Sequence, residues 1–134
     1  MNAKLTDFGA AIGLVQLKKL PQFIRRRQSI ADFYRRTLAG ASVDFPPETE
    51  PRGHVYHRFI LRVKRGGVDR LIAALGEEKI HCRRPVFKPL HRILGEGGFA
   101  TSDRVWERAL SLPCYPSLTD EEAARVSSAV GRLL

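Results

Sequence analysis

The sequence predicts an α+β fold, a long N-terminal helix packed on a small sheet with further helices, and three features carry that expectation. Apolar residues recur at three- and four-residue steps from Phe8 to Leu38, which is the period of a helix. Between His54 and Val63 the spacing changes to two, the period of a strand with one covered face. Near the C-terminus Thr119 and Glu122 form a T-x-x-E capping box ahead of Ala123, Val126, Val130 and Leu133, opening a second amphipathic helix.

In the first segment Thr6 or Asp7 can cap the start, and Gly40 follows the end, where a left-handed residue is wanted. Pro21 interrupts the pattern and predicts a kink or two abutting helices near Leu20, because it lacks a donor and crowds the preceding turn. If continuous, Thr6 to Ala39 spans roughly 50 Å at 1.5 Å per residue, long enough to contact something beyond so small a domain. Ser42 to Gly53 holds three prolines and three acids and reads as a loop. In the strand that follows, Val55, His57, Phe59, Leu61 and Val63 share one face, and Tyr56, Arg58, Ile60 and Arg62 the other.

Lys64-Arg65-Gly66-Gly67 predicts a turn, and Val68, Leu71, Ile72 and Leu75 a short helix ended by Gly76. Ile80 to Arg84 reads as a second strand stopped by Pro85, one that could lie parallel to the first because a helix joins them. Pro89 to Leu94 fits one helical turn ahead of Gly95, Gly97 and Gly98, and Ser102 can cap a short helix through Leu110. With two or three strands available, an α+β layer is favoured over a doubly wound sheet.

The 134 residues fit a single domain, 1–134, with an ordinary globular balance of 43% hydrophobic and 28% charged residues. No run approaches the roughly 20 apolar residues of a membrane helix. Met1 to Leu5 lacks a signal-peptide layout, and Cys82 and Cys114 make no framework, so a reduced, cytoplasmic protein is expected. Twenty-three Lys and Arg against 14 Asp and Glu give a net charge of +9 and favour anionic partners. Arg25, Arg26 and Arg27 fan around a helix and read as a solvated face. Arg83 and Arg84 end a strand beside Pro85, near a histidine and glycines, where an anion can be received.

Four histidines and two cysteines raise the question of a metal, but none of the known ligand spacings occurs. His54 and His57 fall on opposite faces of a strand, and His81 and Cys82 are adjacent. Cys114, in Leu-Pro-Cys-Tyr-Pro, has no charged neighbour in sequence and reads as a small buried residue rather than a nucleophile. Neither a P-loop nor a dinucleotide-binding glycine motif is present.

Several segments, in order, resemble the DegT/DnrJ/StrS family of pyridoxal-phosphate sugar aminotransferases. Asn2-Ala3-Lys4-Leu5-Thr6-Asp7, then Ala10-Ala11-Ile12-Gly13-Leu14-Val15-Gln16-Leu17, is similar to the family's N-x-[RK]-[LM]-[ST]-D followed by A-A-I-G-x-x-Q-L. His54 to Phe59 resembles an H-v-Y-H-x-[FY] strand. Arg84-Pro85-x-Phe87-x-Pro89-x-His91 resembles the R-P-x-F-x-P-x-H run of the perosamine-synthase-like subgroup. Leu110 to Glu122 resembles the closing L-S-L-P-x-Y-P-x-L-[ST]-x-E-E.

The resemblance implies the C-terminal small domain of a fold type I aminotransferase, without the larger domain that carries the Schiff-base lysine. It therefore implies a chain inactive alone, with no cofactor of its own. Pyridoxal phosphate belongs to the parent family, the expected partners are the missing large domain or subunit and a second copy, and the substrate is a nucleotide sugar. Asn2 matches the asparagine that reaches the cofactor phosphate of the partner subunit, although Met1 stands where the family has an aromatic residue. His57, Arg84 and His91 match positions that line or support the nucleotide-sugar cleft, and Pro85-Val86 replaces a His-Tyr pair of other branches. Charge alone supports a different class, a basic nucleic-acid-binding or other anion-binding interaction protein. No helix-turn-helix, RNP or zinc signature accompanies it.

Overall fold

A computed structural model describes residues 4–47 and 53–134. In chain order the elements are α1 (Asp7–Thr37), β1 (Val43–Asp44), β2 (Phe59–Val63), α2 (Val68–Glu77), α3 (Leu90–Leu94), α4 (Ala100–Arg108), β3 (Ala109–Leu112) and α5 (Asp120–Leu133). The architecture is α+β, as the periodicities imply. Thr6 caps α1, its Oγ1 accepting the Gly9 N–H at 3.1 Å. The helix ends at Leu38 rather than in a left-handed glycine, and Gly40 does not take a positive φ.

Pro21 lies inside α1 without dividing it, so two abutting helices are not formed. Residues 11–22 are exposed on every side. The Leu17 carbonyl that loses its intrahelical partner to Pro21 is therefore free to meet water, which lowers the cost of the break. At 31 residues α1 is about 46 Å long at 1.5 Å per residue. Only its final turns, with Ile30, Ala31 and Tyr34, enter the core.

The sheet has the order β1-β2-β3 and is antiparallel throughout, with Val43 opposite Val63, Phe59 opposite Leu112 and Leu61 opposite Leu110. This corrects two expectations. Ile80 to Arg84 is not a parallel strand: it makes a single antiparallel bridge, Arg83 with Ser111. Lys79 in a left-handed conformation (φ 61°) and a local bond from the Cys82 N–H to the Ile80 carbonyl bend it before Pro85 ends its donors. The missing strands are β1, inside the expected loop, and β3, which begins within the expected Ser102–Leu110 helix and runs two residues past it. That helix instead starts at Ala100 and stops at Arg108.

The strand face also shifts phase. Phe59, Leu61 and Val63 are buried as expected, but upstream Tyr56 is buried while Val55 and His57 are exposed. Tyr56 has φ 47°, and this left-handed residue breaks the two-residue alternation. Downstream, Gly66 (φ 81°) makes the predicted turn into α2, which buries Val68, Leu71 and Leu75. The α2 helix runs through Gly76, and the left-handed residue after it is Lys79. The capping box of α5 forms in both directions, at 3.1 and 2.9 Å. That helix packs on α1 and α2 and closes a core centred on Tyr34, Phe59, Leu61, Leu75, Leu110 and Val130. Among the described residues no helix is long and apolar enough to cross a membrane.

Candidate functional site

Two of the three arginines expected on a solvated face are structural. Arg26 donates to the Leu118 carbonyl and, at 2.7 Å, to Asp120 at the start of α5. Arg27 Nη1 reaches the carbonyls of Tyr56 (3.0 Å), His57 (2.9 Å) and Cys114 (2.6 Å), and the Cys114 thiol donates back to the Arg27 carbonyl. Only Arg25 is exposed. A guanidinium suits this work, since its planar fork offers five donors to carbonyls that the irregular loops leave unpaired. Burial pushes the Cys114 thiol up to about 11, partly opposed by Arg27 and Arg26, and burial alone pushes Cys82 up to about 12. Both are packing residues, not nucleophiles.

Arg84 and His91 come together in one cluster built on α4. Asp103, Trp106 and Glu107 share a helical face at spacings of three and four. Arg84 forks onto Asp69 of α2 (3.2 and 2.9 Å), donates to the Trp106 carbonyl, and stacks over the Trp106 ring at 4.3 Å. Arg92 covers the same ring at 4.7 Å and bonds Asp103 and Glu107. His91 Nε2 meets Asp103 at 3.0 Å while its ring stacks on Phe99 at 4.9 Å. Hydrogen bonding from His91, then from Arg92, holds the Asp103 carboxyl below its usual range. Trp106 Nε1 closes the cluster on the Val86 carbonyl. The segment from Arg84 to Leu94 is thus tied to α4, with Phe87 left 92% exposed beside it.

His57 stands apart from that cluster. It is exposed and lines a groove of about 360 Å³ with Arg58, Lys79, His81, Arg83, Ser111 and Tyr115 among others. Arg58 and Arg83 also border a second groove that contains Arg84, Phe87 and Trp106, so the two regions adjoin. His54 does not share a strand with His57: it accepts the Tyr56 N–H on Nδ1 at 2.8 Å and lies tilted against the Tyr56 ring. Asn2 lies outside the described residues. Spacing did not reveal Asp69, Asp103 or Trp106, the partners that fix Arg84 and His91. Each lies 12 to 22 residues away in sequence.

Residues 1–131 match the DegT/DnrJ/EryC1/StrS aminotransferase family. The chain is 33% identical over 126 residues to dTDP-4-dehydro-2,3,6-trideoxy-D-glucose 4-aminotransferase of Saccharopolyspora spinosa, covering 90% of this chain and 32% of that protein. In three dimensions it is similar to the aminotransferase TlmJ of Streptoalloteichus hindustanus, with a TM-score of 0.83 and 30% identity over 92% of this chain and 35% of that one. It is also similar to Spr1654 of Streptococcus pneumoniae in its PMP form, with a TM-score of 0.87 and 27% identity over 96% of this chain and 35% of that one. The chain spans about a third of the length of the curated relatives it matches. By sequence and by fold, the chain belongs to the DegT/DnrJ/EryC1/StrS aminotransferase family.

Proposed function

We propose that this chain is the C-terminal small domain of a pyridoxal-phosphate sugar aminotransferase, one domain over residues 1–134, that walls the cleft and joins subunits. The reaction is amino transfer to a keto group of a nucleotide sugar, and the larger domain is needed for it. The observation that carries this reading is the match over 92% of this chain and 35% of a solved aminotransferase, in a molecule whose first helix leaves residues 11–22 uncovered. A helix with apolar residues on several faces and no cover expects a neighbour. Here the neighbours are the larger domain and a second subunit, in the cytoplasm.

Pyridoxal phosphate, when bound, supplies the electron sink for amine transfer. The described residues do not fit its covalent anchor. All six lysines, Lys4, Lys18, Lys19, Lys64, Lys79 and Lys88, are exposed, whereas a Schiff-base lysine works from a desolvated pocket. These residues alone are therefore silent in amino transfer. In this reading Asn2 reaches the cofactor phosphate across the subunit boundary, and His57, Arg84 and His91 line or brace the sugar-nucleotide cleft.

The test is complementation. The chain alone, incubated with pyridoxal phosphate and then borohydride, is expected to trap no single lysine. Supplied with a family large domain in trans or by fusion, it is expected to restore turnover of a nucleotide keto-sugar. His57→Ala, at an exposed site, is expected to lower that turnover with a change in melting stability within about 0.5 kcal/mol. A stoichiometric adduct mapped to one of the six lysines sinks the proposal, as does turnover indifferent to the chain.

A further inference from the structure

Two charge patterns run along α4, one position apart. Asp103 and Glu107 hold Arg92 of α3. Arg104 and Arg108, with the same four-residue spacing, instead line a separate cleft with Val105, with Arg62 and Val63 of β2 and with Asp44 of β1. Like charges four apart on a helix repel, and here a third faces them from the sheet. Leu61 and Val63 are buried in the core, so the alternation of the strand turns Arg62 to the opposite face. Its register fixes it beside the end of α4, opposite Asp44 on one flank and Ala109, the residue after Arg108, on the other.

The cross-strand ion pair that this register offers is not made. Asp44 pairs instead with Lys64, at 3.2 Å. Arg62 and Arg108 hold no hydrogen-bond or ion-pair partner among the described residues, and Arg104 gives one donor to the Thr101 hydroxyl at 3.4 Å. Elsewhere Arg26, Arg27, Arg84, Arg92 and Arg132 all hold carbonyls or carboxylates. Three guanidinium groups therefore face a cleft whose one carboxylate is engaged by another cation.

We propose that this cleft binds a single phosphate group, held between Arg62 and Arg108 with Arg104 as a further donor. Guanidinium forks match phosphate oxygens in geometry as well as charge. The bound group offsets the repulsion among the three cations and ties α4 to β2. At about 120 Å³ the cleft has a third of the volume of the groove beside His57, about 360 Å³, which suits one phosphate group rather than a nucleotide. None of its residues lines the grooves that contain His57 or Arg84. The binding needs neither amino transfer nor the larger domain, so it stands or fails apart from the function proposed above.

The experiment is calorimetric titration of the chain with inorganic phosphate and, separately, with glycerol 3-phosphate, at constant moderate ionic strength. One equivalent of saturable binding is expected with both, equal affinity meaning that the phosphate group alone is recognised. Tighter binding of glycerol 3-phosphate also supports the site and shows that the ester substituent makes contacts. Arg62→Gln on the strand and Arg108→Gln on the helix are each expected to weaken binding about ten- to a hundredfold, the range for a lost charge-assisted bond. Asp44→Asn, which removes the carboxylate and frees Lys64, is expected to strengthen it about two- to fivefold. Arg36→Gln, exposed on α1 and outside the cleft, is expected to change it less than about twofold. Binding that survives Arg62→Gln and Arg108→Gln but is lost with Arg83→Gln belongs to the groove beside His57 and overturns the proposal. So does the lack of saturable binding of either phosphate, or equal losses from Arg62→Gln and Arg36→Gln in variants whose circular dichroism is unchanged.

Discussion

At the C-terminal end of α1 Ile30, Ala31 and Tyr34, with the capping Leu38, are sealed in the core, and Tyr34 shows no exposed surface while its hydroxyl donates to the Pro113 carbonyl at 3.0 Å. From Phe8 to Leu20 the same helix carries the same apolar period and covers nothing: Phe8 is 78% exposed and Leu17 63%. The two stretches differ in arrangement as well. In the N-terminal one Phe8, Ile12 and Val15 form one stripe, while Leu14 and Leu17 lie on the opposite side of the helix. A stripe reports one neighbour, and apolar residues on two sides report two. The period thus gives the conformation, and the number of apolar faces gives the number of surfaces the helix was built to meet.

Substitutions at matched positions test that contrast. Tyr34→Ala removes a fully buried ring that meets Phe59 at 5.2 Å. It is expected to cost about 3–5 kcal/mol in a urea melt, against about 0.5 kcal/mol or less for Phe8→Ala. A comparable loss at Phe8 would mean that the N-terminal stretch packs on something within the chain. Arg27→Ala comes next: freeing three loop carbonyls is expected to cost about 2 kcal/mol, while Arg25→Ala two positions earlier changes stability within about 0.5 kcal/mol. Equal effects would return Arg27 to the solvated class. The smallest change in stability is expected from combining Phe8→Ser, Ile12→Ser and Leu17→Ser, which should leave the melt nearly unmoved. If the chain self-associates through its uncovered apolar area, sedimentation should nevertheless shift toward monomer. A wild-type chain already monomeric at high concentration would remove that expectation.

The parts of the fold legible in the sequence are those whose signal is local. Thr6, the capping box at Thr119 and Glu122, Gly66 in its turn and the period of α1 each act within four residues. The strand β3 was illegible because all four of its residues are buried, which erases the alternation and leaves Leu110 to extend the apparent period of α4. The face of His57 was misplaced by one residue, Tyr56, whose left-handed backbone no pattern of side chains announces. At the candidate site, the proposal of His57, Arg84 and His91 came from ordered motifs. Their surroundings did not, since Asp69 and Asp103 become partners only after α2 and α4 are set against the loop between them. Arg26 and Arg27 escaped for a related reason. A carbonyl acceptor is present at every position in a chain, so composition cannot show which ones need a donor.

One mechanical consequence follows from α1 being a single helix held, among the described residues, along its stretch from Arg26 onward. From Arg26 back to Asp7 the rod extends about 28 Å at 1.5 Å per residue. A tilt of about 6° at the anchored end would then displace the far end by about 3 Å, as far as a hydrogen bond is long. Aim at the N-terminus is therefore set by the bonds of Arg26 and Arg27, by the packing of α1 on α5 and by the contact of Tyr34 with Phe59 of β2. Steric tolerance in that small core becomes pointing accuracy at the opposite extremity. A cavity too slight to unfold the chain could still misdirect whatever the first residues are meant to touch.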